Sequence, residues 1–429
     1  MKIEKLYKLF EKHPKISTDS RKITEGCLFF ALKGETFNGN IFANKALDKG
    51  ASYAIVDETK GKNEKIIIVD DVLKCLQNLA SYHRRQLKTN ILAITGTNGK
   101  TTTKELISTV LSQKYNITCT QKNLNNYIGV PLSLLRMTSQ TEIGIIEMGA
   151  SHPGEIADLC KIVDPDMGLI TNVGKAHLAG FGSLEGVIKT KAALYDFLRE
   201  KGGKCFINID NPLLLKQAGG LEQITYGKSE NAKLKGIPEK GKYFLTVNVL
   251  FPKGWLDIRS KLIGSYNFEN ILAAACVGLY FDVDPLEIAK AIKNYKPENN
   301  RSQLMEIRSN KIVLDAYNAN PTSMKASLEN FMDIENAHKS IILGDMMELG
   351  KQSEEEHQKI VDFLQTKKFD DIYLVGSCFA KTNTDKKIRK FSSSDLLAEY
   401  LKQAKRIEDK LILIKGSRGI KLEKILEFI

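Results

Sequence analysis

Residues 96–101 read Gly-Thr-Asn-Gly-Lys-Thr, between the apolar run "ILAIT" and the helix-forming "TTKELISTVL". Glycines in such a turn let successive backbone N–H groups converge on phosphate oxygens, and a helix starting at its end adds a positive dipole. A lysine there sets a cation against the β- and γ-phosphates, and the hydroxyl after it can ligate magnesium. Gly96 and Gly99 could supply the loop, Lys100 the cation and Thr101 the metal ligand. One position departs from the usual G-x-x-x-x-G-K-[ST] spacing: Ile94 stands where the first glycine is expected. Taken singly, these residues leave two readings open, a nucleotide site with a shortened loop or a structural turn.

A triphosphate site also needs acid for its metal. Glu147 ends the apolar run "EIGIIE", and parallel sheets present functional groups at strand ends. A solvated strand-end glutamate is the plain alternative. His177, in "TNVGKAHLAGFG", follows another strand end, and a histidine there is either a ligand or a structural group.

The elements that must carry these groups alternate. From about residue 90, strand-like runs ("ILAIT", "EIGIIEMG", "MGLITNVG") alternate with helical ones such as "KTTTKELISTVLSQK", the pattern of a parallel sheet with helices on its faces. Residues 203–263 turn β-rich and are expected to form a lateral antiparallel extension that includes "YFLTVNVLF". After the polar stretch 294–303, "KIVLDAY", "SIILGDM", "DIYLVG" and "LILIKGS" are expected strands of a second, smaller doubly wound unit. Residues 1 to about 85 mix short strands with helices. The expected architecture is therefore α/β with three domains, at 1–86, 87–297 and 298–429: mixed α/β, a central phosphate-loop parallel sheet, and a Rossmann-like unit.

Composition narrows the class. The chain has 429 residues, too many for one core. Its net charge of +12 comes from lysines spread evenly, with no basic run interleaved with aromatics, so a solvated surface is favoured over a nucleic-acid partner. A mild positive field still favours anionic small molecules. The longest apolar run, residues 271–281, is far short of the roughly 20 needed to cross a bilayer. The first fifteen residues carry charges throughout, unlike a signal peptide. The seven cysteines lie far apart with no C-x-x-C pair, which suggests reduced thiols in a cytoplasmic protein.

"TGTNGKTTTKE", "NLNNYIGVPLSLL", "IIEMGASHPGEI", "ITNVGKAHLAGFGS" and "DAYNANPTSM" stand in an order and spacing that resemble the Mur ligases, ATP-dependent amide ligases of peptidoglycan-precursor synthesis. "EMGAS", "YNANPTSM", "LGDMMELG" and "KGSR" resemble in particular the members that join D-alanyl-D-alanine to a UDP-N-acetylmuramoyl-tripeptide. The likeness covers essentially the whole chain, and this family's phosphate loop is of the short G-T-N-G-K-T kind. It implies an acyl-phosphate mechanism with ATP and two magnesium ions.

By that resemblance, Thr97, Asn98 and Thr102 join the loop in holding nucleotide, and Thr101 and Glu147 hold the first ion. His177 and Lys191 would hold the second, Lys191 aligning with a lysine that the family often carbamylates; neighbouring Lys189 is the alternative. Read without the family, a lysine in an amphipathic helix is a solvated charge. "GSYNFENILAAA" resembles an element whose asparagines, here Asn267 and Asn270, meet the nucleoside; Tyr266 stands where histidine is usual. Arg301 would approach the phosphates and Asp315 the ribose.

Ser20, Arg21, Lys33, Thr36, Asn38, Asn125, Asn126 and Ser151 are implied for the UDP-sugar-peptide, and Asn318, Asn320 and residues 415–418 for the dipeptide end. The competing reading of "NANP" is a plain asparagine–proline turn. Within the enzyme class, the runners-up are the ligase that adds the third peptide residue and folylpolyglutamate synthase. "DNP" at 210–212 resembles part of the former's D-N-P-R element, but leucine follows it and it falls in the central domain. From another class comes a nucleotide sensor that keeps the fold without ligating. Sites split over three domains imply an open resting form, and the chain is expected to be a monomer with no nucleic-acid or membrane-spanning partner.

Overall fold

The computed structural model describes residues 1–58, 63–239, 243–297, 300–385, 387–404 and 406–429. Three larger sheets organise them. The central one has nine strands, in the order Gly254–Arg259, Thr246–Phe251, Leu234–Pro238, Glu222–Gly227, Lys204–Asn208, Met167–Ile170, Asn90–Thr95, Ile143–Glu147 and Ile117–Cys119. From Leu234–Pro238 to Ile117–Cys119 every pairing is parallel. These inner strands are buried on both faces and read as continuous apolar runs, as doubly covered strands must.

The antiparallel extension is smaller than the sequence suggested. Lys204–Asn208 and Glu222–Gly227 still run parallel, and only the pairings among Leu234–Pro238, Thr246–Phe251 and Gly254–Arg259 are antiparallel. "LTVNVLF" and "WLDIR" face each other across a short turn at Gly254 (φ +122°), and such a turn forces antiparallel pairing. A change of texture in sequence marked strands, but not their direction.

The last 130 residues build a six-stranded sheet, ordered Gln303–Ile307, Asn310–Asp315, Leu411–Lys415, Lys339–Gly344, Asp371–Val375 and Ile388–Phe391. All pairings are parallel except that of the first strand. The boundary expected at 297/298 touches residues 298 and 299, which lie outside the described residues. Near the N-terminus four short parallel strands, Ile16–Ser17, Leu28–Phe30, Tyr53–Val56 and Ile66–Ile68, make the third sheet.

This N-terminal sheet has a small core of its own, around Phe29, Ala46 and Val56. Its other face belongs to a larger core. Leu6, Leu28, Phe30 and Ile55 join the helix Val72–Gln86 (Leu76, Leu79) and central residues such as Ile91, Ile146 and Ile156 in one buried cluster. The C-terminal sheet instead fills two clusters almost entirely from its own residues. Among the described residues no helix is long and apolar enough to cross a membrane.

Candidate functional site

Parallel neighbours put their carboxyl ends at one edge, and that is how the site is assembled. Ile94 pairs with Glu147, so the turn that follows Thr95 and the acid that closes the next strand emerge side by side. Ile94 is fully buried inside the strand, which is why the loop begins only at Gly96. Gly96 (φ +144°) and Gly99 (φ +79°) both hold backbone that disfavours a side chain. A Cβ at Gly96 would lie 2.0 Å from Thr171 Oγ1, and one at Gly99 2.6 Å from Asn270 Oδ1. The helix Lys100–Leu111 then starts with its free N–H groups at the loop.

Thr101 Oγ1 donates to Glu147 Oε1 at 3.2 Å, and Asn125 Nδ2 donates to the same oxygen at 2.8 Å. Glu147 is 1 % exposed, and its Oε2 is buried without a hydrogen-bond partner. An unpartnered buried carboxylate oxygen is costly unless a cation or donor completes it. Beside a threonine hydroxyl, it forms an all-oxygen pair suited to a hard divalent ion. Lys100 folds back on the loop, donating to the carbonyls of Gly96 (2.7 Å) and Thr97 (3.0 Å). Burial lowers its pKa to about 8, Glu147 works against that shift, and Arg301 adds to it.

Asn98 is held by N–H donation to Asn172 Oδ1 (2.9 Å), while its carbonyl accepts from Thr171 Oγ1 (2.6 Å). Asn270 Oδ1 accepts from Thr103 Oγ1 at 3.0 Å, its Nδ2 donates to Asn267 Oδ1 at 2.8 Å, and Asn267 Nδ2 donates to the Ile263 carbonyl. The two asparagines therefore brace the helices Lys100–Leu111 and Phe268–Tyr280 as well as bordering the cleft.

Lys191 is not a solvated charge. On the helix Leu184–Lys201 it is 2 % exposed, with Nζ 5.9 Å from the Phe181 ring centroid. Burial drives its pKa well below the ordinary lysine value, and the nearby Lys100 charge pushes the same way. Its place on the helix explains this: Lys191 falls in line with Val187, Leu194, Tyr195 and Leu198 on the buried face, a spacing that the reading of a solvated lysine passed over. His177, in left-handed backbone (φ +50°), contacts the Glu348 carboxylate through Nδ1 and meets Phe181 edge-on.

Glu348 belongs to the C-terminal unit, which is docked on the loop side of the central sheet. Asn320 Nδ2 donates to Asn98 Oδ1 at 2.8 Å, Lys175 pairs with Glu356 at 3.1 Å, and the Ala179 N–H reaches the Glu348 carbonyl. The expected open resting form is thus not what the structure shows: complementary polar groups on the two facing loops close the junction. Asn320 also caps the helix Pro321–Asp333 in a reciprocal box with Ser323, which gives "NANP" a structural role as a helix start, and Asn320 itself does not line the cavity described below.

Asp315 and Lys415 end adjacent strands and pair at 2.5 Å, Lys415 being 2 % exposed. Lys415 also reaches the Asn318 carbonyl at 3.5 Å. The Arg301 guanidinium stacks over Tyr317, 3.7 Å from the ring centroid. Tyr266 bridges the seam by a 2.7 Å hydrogen bond to Ser302, its phenol pushed up chiefly by burial.

Most of these groups border one cavity of about 1420 Å³, larger than a single drug-sized ligand needs; Gly96, Lys191 and Asn320 do not line it. Thr97 to Thr102, Asn125, Asn126, Glu147, Ser151, His177, Asn267, Asn270, Arg301, Asp315 and Asn318 all line it. Of these, Asn126 spends its Oδ1 on the N–H groups of Ile128 and Gly129, and Ser151 pairs with His152. Ser20, Arg21, Lys33, Thr36 and Asn38 do not line it; among the described residues of the first 86 only Lys74 and Gln77 do. Arg21 is committed to Asp19, whose pKa falls to about 2 through that hydrogen bonding. Lys33 pairs with Asp57 and Glu58, and Asn38 caps Asn40 and donates to Glu58. Sequence reading missed Asn172, Thr322 and Glu348. "LGDMMELG" carried the signal for the last, but nothing in its pattern singles out one residue.

A phosphate loop with an acid and hydroxyl at its mouth, roofed by a second α/β unit, defines a nucleotide-dependent transferase or ligase with a composite site. Family models agree with that class: "Mur ligase family, catalytic domain" matches residues 14–84, "Mur ligase middle domain" 94–278, and "Mur ligase, glutamate ligase domain" 300–418. The UDP-N-acetylmuramoyl-tripeptide–D-alanyl-D-alanine ligase of Bacillus subtilis is 35 % identical, over 96 % of this chain and 92 % of its own. A MurF crystal structure from Acinetobacter baumannii superposes with a TM-score of 0.86 at 29 % identity, covering 96 % of this chain and 93 % of that one. The MurF ligase of Thermotoga maritima, solved in complex with ADP, gives 0.85 at 28 %, with 96 % of both chains covered. The chain belongs to the Mur ligase family.

Proposed function

We propose that this chain joins D-alanyl-D-alanine to UDP-N-acetylmuramoyl-tripeptide at the expense of ATP, a step in building the peptidoglycan precursor. The observation that carries the reading is the orphaned Glu147 oxygen beside Thr101 at the mouth of the phosphate loop. The name and near-complete coverage of the Bacillus subtilis relative select the substrates.

In this reading the tripeptide's terminal carboxylate oxygen attacks the γ-phosphorus, the bond to the β-phosphate oxygen breaks, and ADP leaves. The dipeptide amine then attacks the acyl carbon, loses a proton, and inorganic phosphate departs with the acyl C–O bond. The first transfer is mainly positioning and charge neutralisation, the task of Lys100 and the loop N–H groups. Thr101 and Glu147 would hold one magnesium ion, and His177 with a carbamylated Lys191 a second; bound there, the ions would offset the charge of triphosphate and carboxylate. A depressed lysine pKa supports carbamylation, because the neutral amine is the form that adds to carbon dioxide. Lys189, the alternative, is exposed.

Gly96, Thr97, Asn98, Gly99, Thr102, Asn267 and Asn270 are assigned to the nucleotide, with Arg301 toward phosphate and Asp315 toward ribose; Lys415, read from sequence as part of the dipeptide end, pairs with Asp315. Asn125, Asn126, Ser151 and the N-terminal group Ser20, Arg21, Lys33, Thr36 and Asn38 are assigned to the nucleotide-sugar peptide, and Asn318 and Asn320 to the dipeptide end. The division at 86 and 297 is supported by the three family-model matches. A cytoplasmic monomer completes the proposal. The test is mass detection of the pentapeptide with equimolar ADP from ATP, magnesium, tripeptide substrate and D-alanyl-D-alanine. Nucleotide binding without dipeptide-dependent ADP release would instead mark a sensor.

A further inference from the structure

Two residues in left-handed backbone meet across the junction between the central and C-terminal units. His177 (φ +50°) and Glu348 (φ +65°) touch through Nδ1 and the carboxylate. Non-glycine residues rarely hold such angles, and they persist where surrounding structure over-determines them. Here that structure is visible on both sides. The Ala179 N–H donates to the Glu348 carbonyl at 3.3 Å, and Gly350 (φ +56°) lies so close to Ala179 that a Cβ would sit 3.2 Å from its side chain.

The loop that carries Glu348 is pinned at its root. Asp345 accepts from the N–H groups of Cys378 (2.8 Å) and Phe379 (2.9 Å). The Met346 N–H donates to His357 Nε2 and the Met347 N–H to Ser417 Oγ, both at 2.9 Å. Asp345, His357 and Cys378 converge closely enough to suggest a metal site, yet both imidazole nitrogens of His357 are spent on the backbone, the second on the Ser353 carbonyl at 2.6 Å. The cluster is a mounting, and what it mounts is Glu348.

We infer that Glu348 is a positioning residue for His177: its carboxylate accepts the Nδ1 proton, fixes the ring and leaves Nε2 as the nitrogen free for a cation. A ligating histidine generally gives its other N–H to a carboxylate or carbonyl, which sets tautomer and orientation and raises ligand basicity. Nδ1 is buried, lies in ion-pair contact with the Glu348 carboxylate and has no hydrogen-bond partner elsewhere among the described residues. Because Glu348 comes from the C-terminal unit, the second cation site would be complete only when that unit is docked. Ligand assembly and closure are then one event.

The inference rests on the reading of His177 as a cation ligand, but its first readout needs neither metal nor turnover. Long-range ¹H–¹⁵N NMR of the unliganded, ¹⁵N-histidine-labelled protein, assigned with His177→Ala, reports which ring nitrogen carries the proton at a pH where the ring is neutral. The wild type should show Nδ1–H. Glu348→Ala should move the proton to Nε2, Glu348→Gln should keep it on Nδ1 through the amide oxygen, and Lys175→Ala, which breaks an ion pair at the same junction, should also keep it. In turnover, Glu348→Ala should raise the magnesium needed for half-maximal rate about tenfold or more.

Nε2–H in the wild type, or the same tautomer in Glu348→Ala, overturns the assignment. So does a shifted tautomer in Lys175→Ala, which would make docking alone responsible. A lowered magnesium requirement in Glu348→Ala overturns it as well, since the carboxylate would then be a competitor of the ion. If the tautomers behave as expected while no ligation occurs, the functional reading fails and the positioning role stands.

Discussion

The central unit has two neighbours and is joined to them by different physics. Toward the N-terminal sheet the junction is apolar: Leu28, Phe30 and Ile55 share one continuous core with Leu76, Leu79, Ile91 and Ile146. Toward the C-terminal sheet it is polar, made of Asn98–Asn320, Lys175–Glu356, His177–Glu348 and Tyr266–Ser302. A shared core cannot be opened without exposing its whole area to water, whereas polar pairs exchange for water at little net cost. The chemistry-bearing groups lie on the polar side, where closing and opening are affordable. In the proposed assignment no catalytic group falls on the apolar side among the described residues, and that side serves as a frame.

The comparison is sharpest if the two sides fail independently. Lys100→Ala should lower the rate of ADP formation by on the order of a hundred- to a thousand-fold or more, with the unfolding midpoint almost unchanged. Retained turnover would remove the phosphate-loop role. The wild-type charge on Lys100 also sets a pH dependence. Burial depresses its pKa to about 8, and a bound polyphosphate favours the protonated form. Nucleotide affinity should therefore be highest below that pH and decline as pH rises through it, and Lys100→Arg should flatten the decline in a calorimetric titration.

Leu76→Ala attacks the other junction. Leu76 is fully buried in the shared core, so its truncation should cost about 2–5 kcal/mol in denaturant unfolding. Turnover per folded molecule should be unchanged, and the N-terminal and central units should unfold in one transition. Two separated transitions would show that the core is not shared energetically. The smallest effect is expected at Arg21, exposed and paired with Asp19. Arg21→Ala should leave the unfolding midpoint and kcat alone and raise KM for the nucleotide-sugar peptide a few-fold; a large fall in kcat would place that arginine in the chemistry.

Much of the site was legible because it depends on short-range patterns. A strand, a two-glycine turn and a lysine-threonine helix start lie within a dozen residues, and the burial of Ile94 accounts for the missing first glycine. Glu147 was legible for a related reason: a strand-end acid in an alternating α/β chain emerges at the ligand edge. Other residues were illegible singly. Lys191 reads as solvated by residue type alone, although it repeats at helical spacing with Val187, Leu194 and Leu198 on the buried face of its helix. Glu348 lies 171 positions from His177, and no periodicity links them.

The sequence by itself determined the elements, the phosphate loop and the family, since these follow from local sterics, apolar spacing and motifs read along the chain. Tertiary structure alone decided which polar groups find each other: that Glu147 keeps an oxygen unpaired, and that Glu348 meets His177. Burial and pairing depend on what other segments place nearby in space, and spacing along the chain does not contain that information.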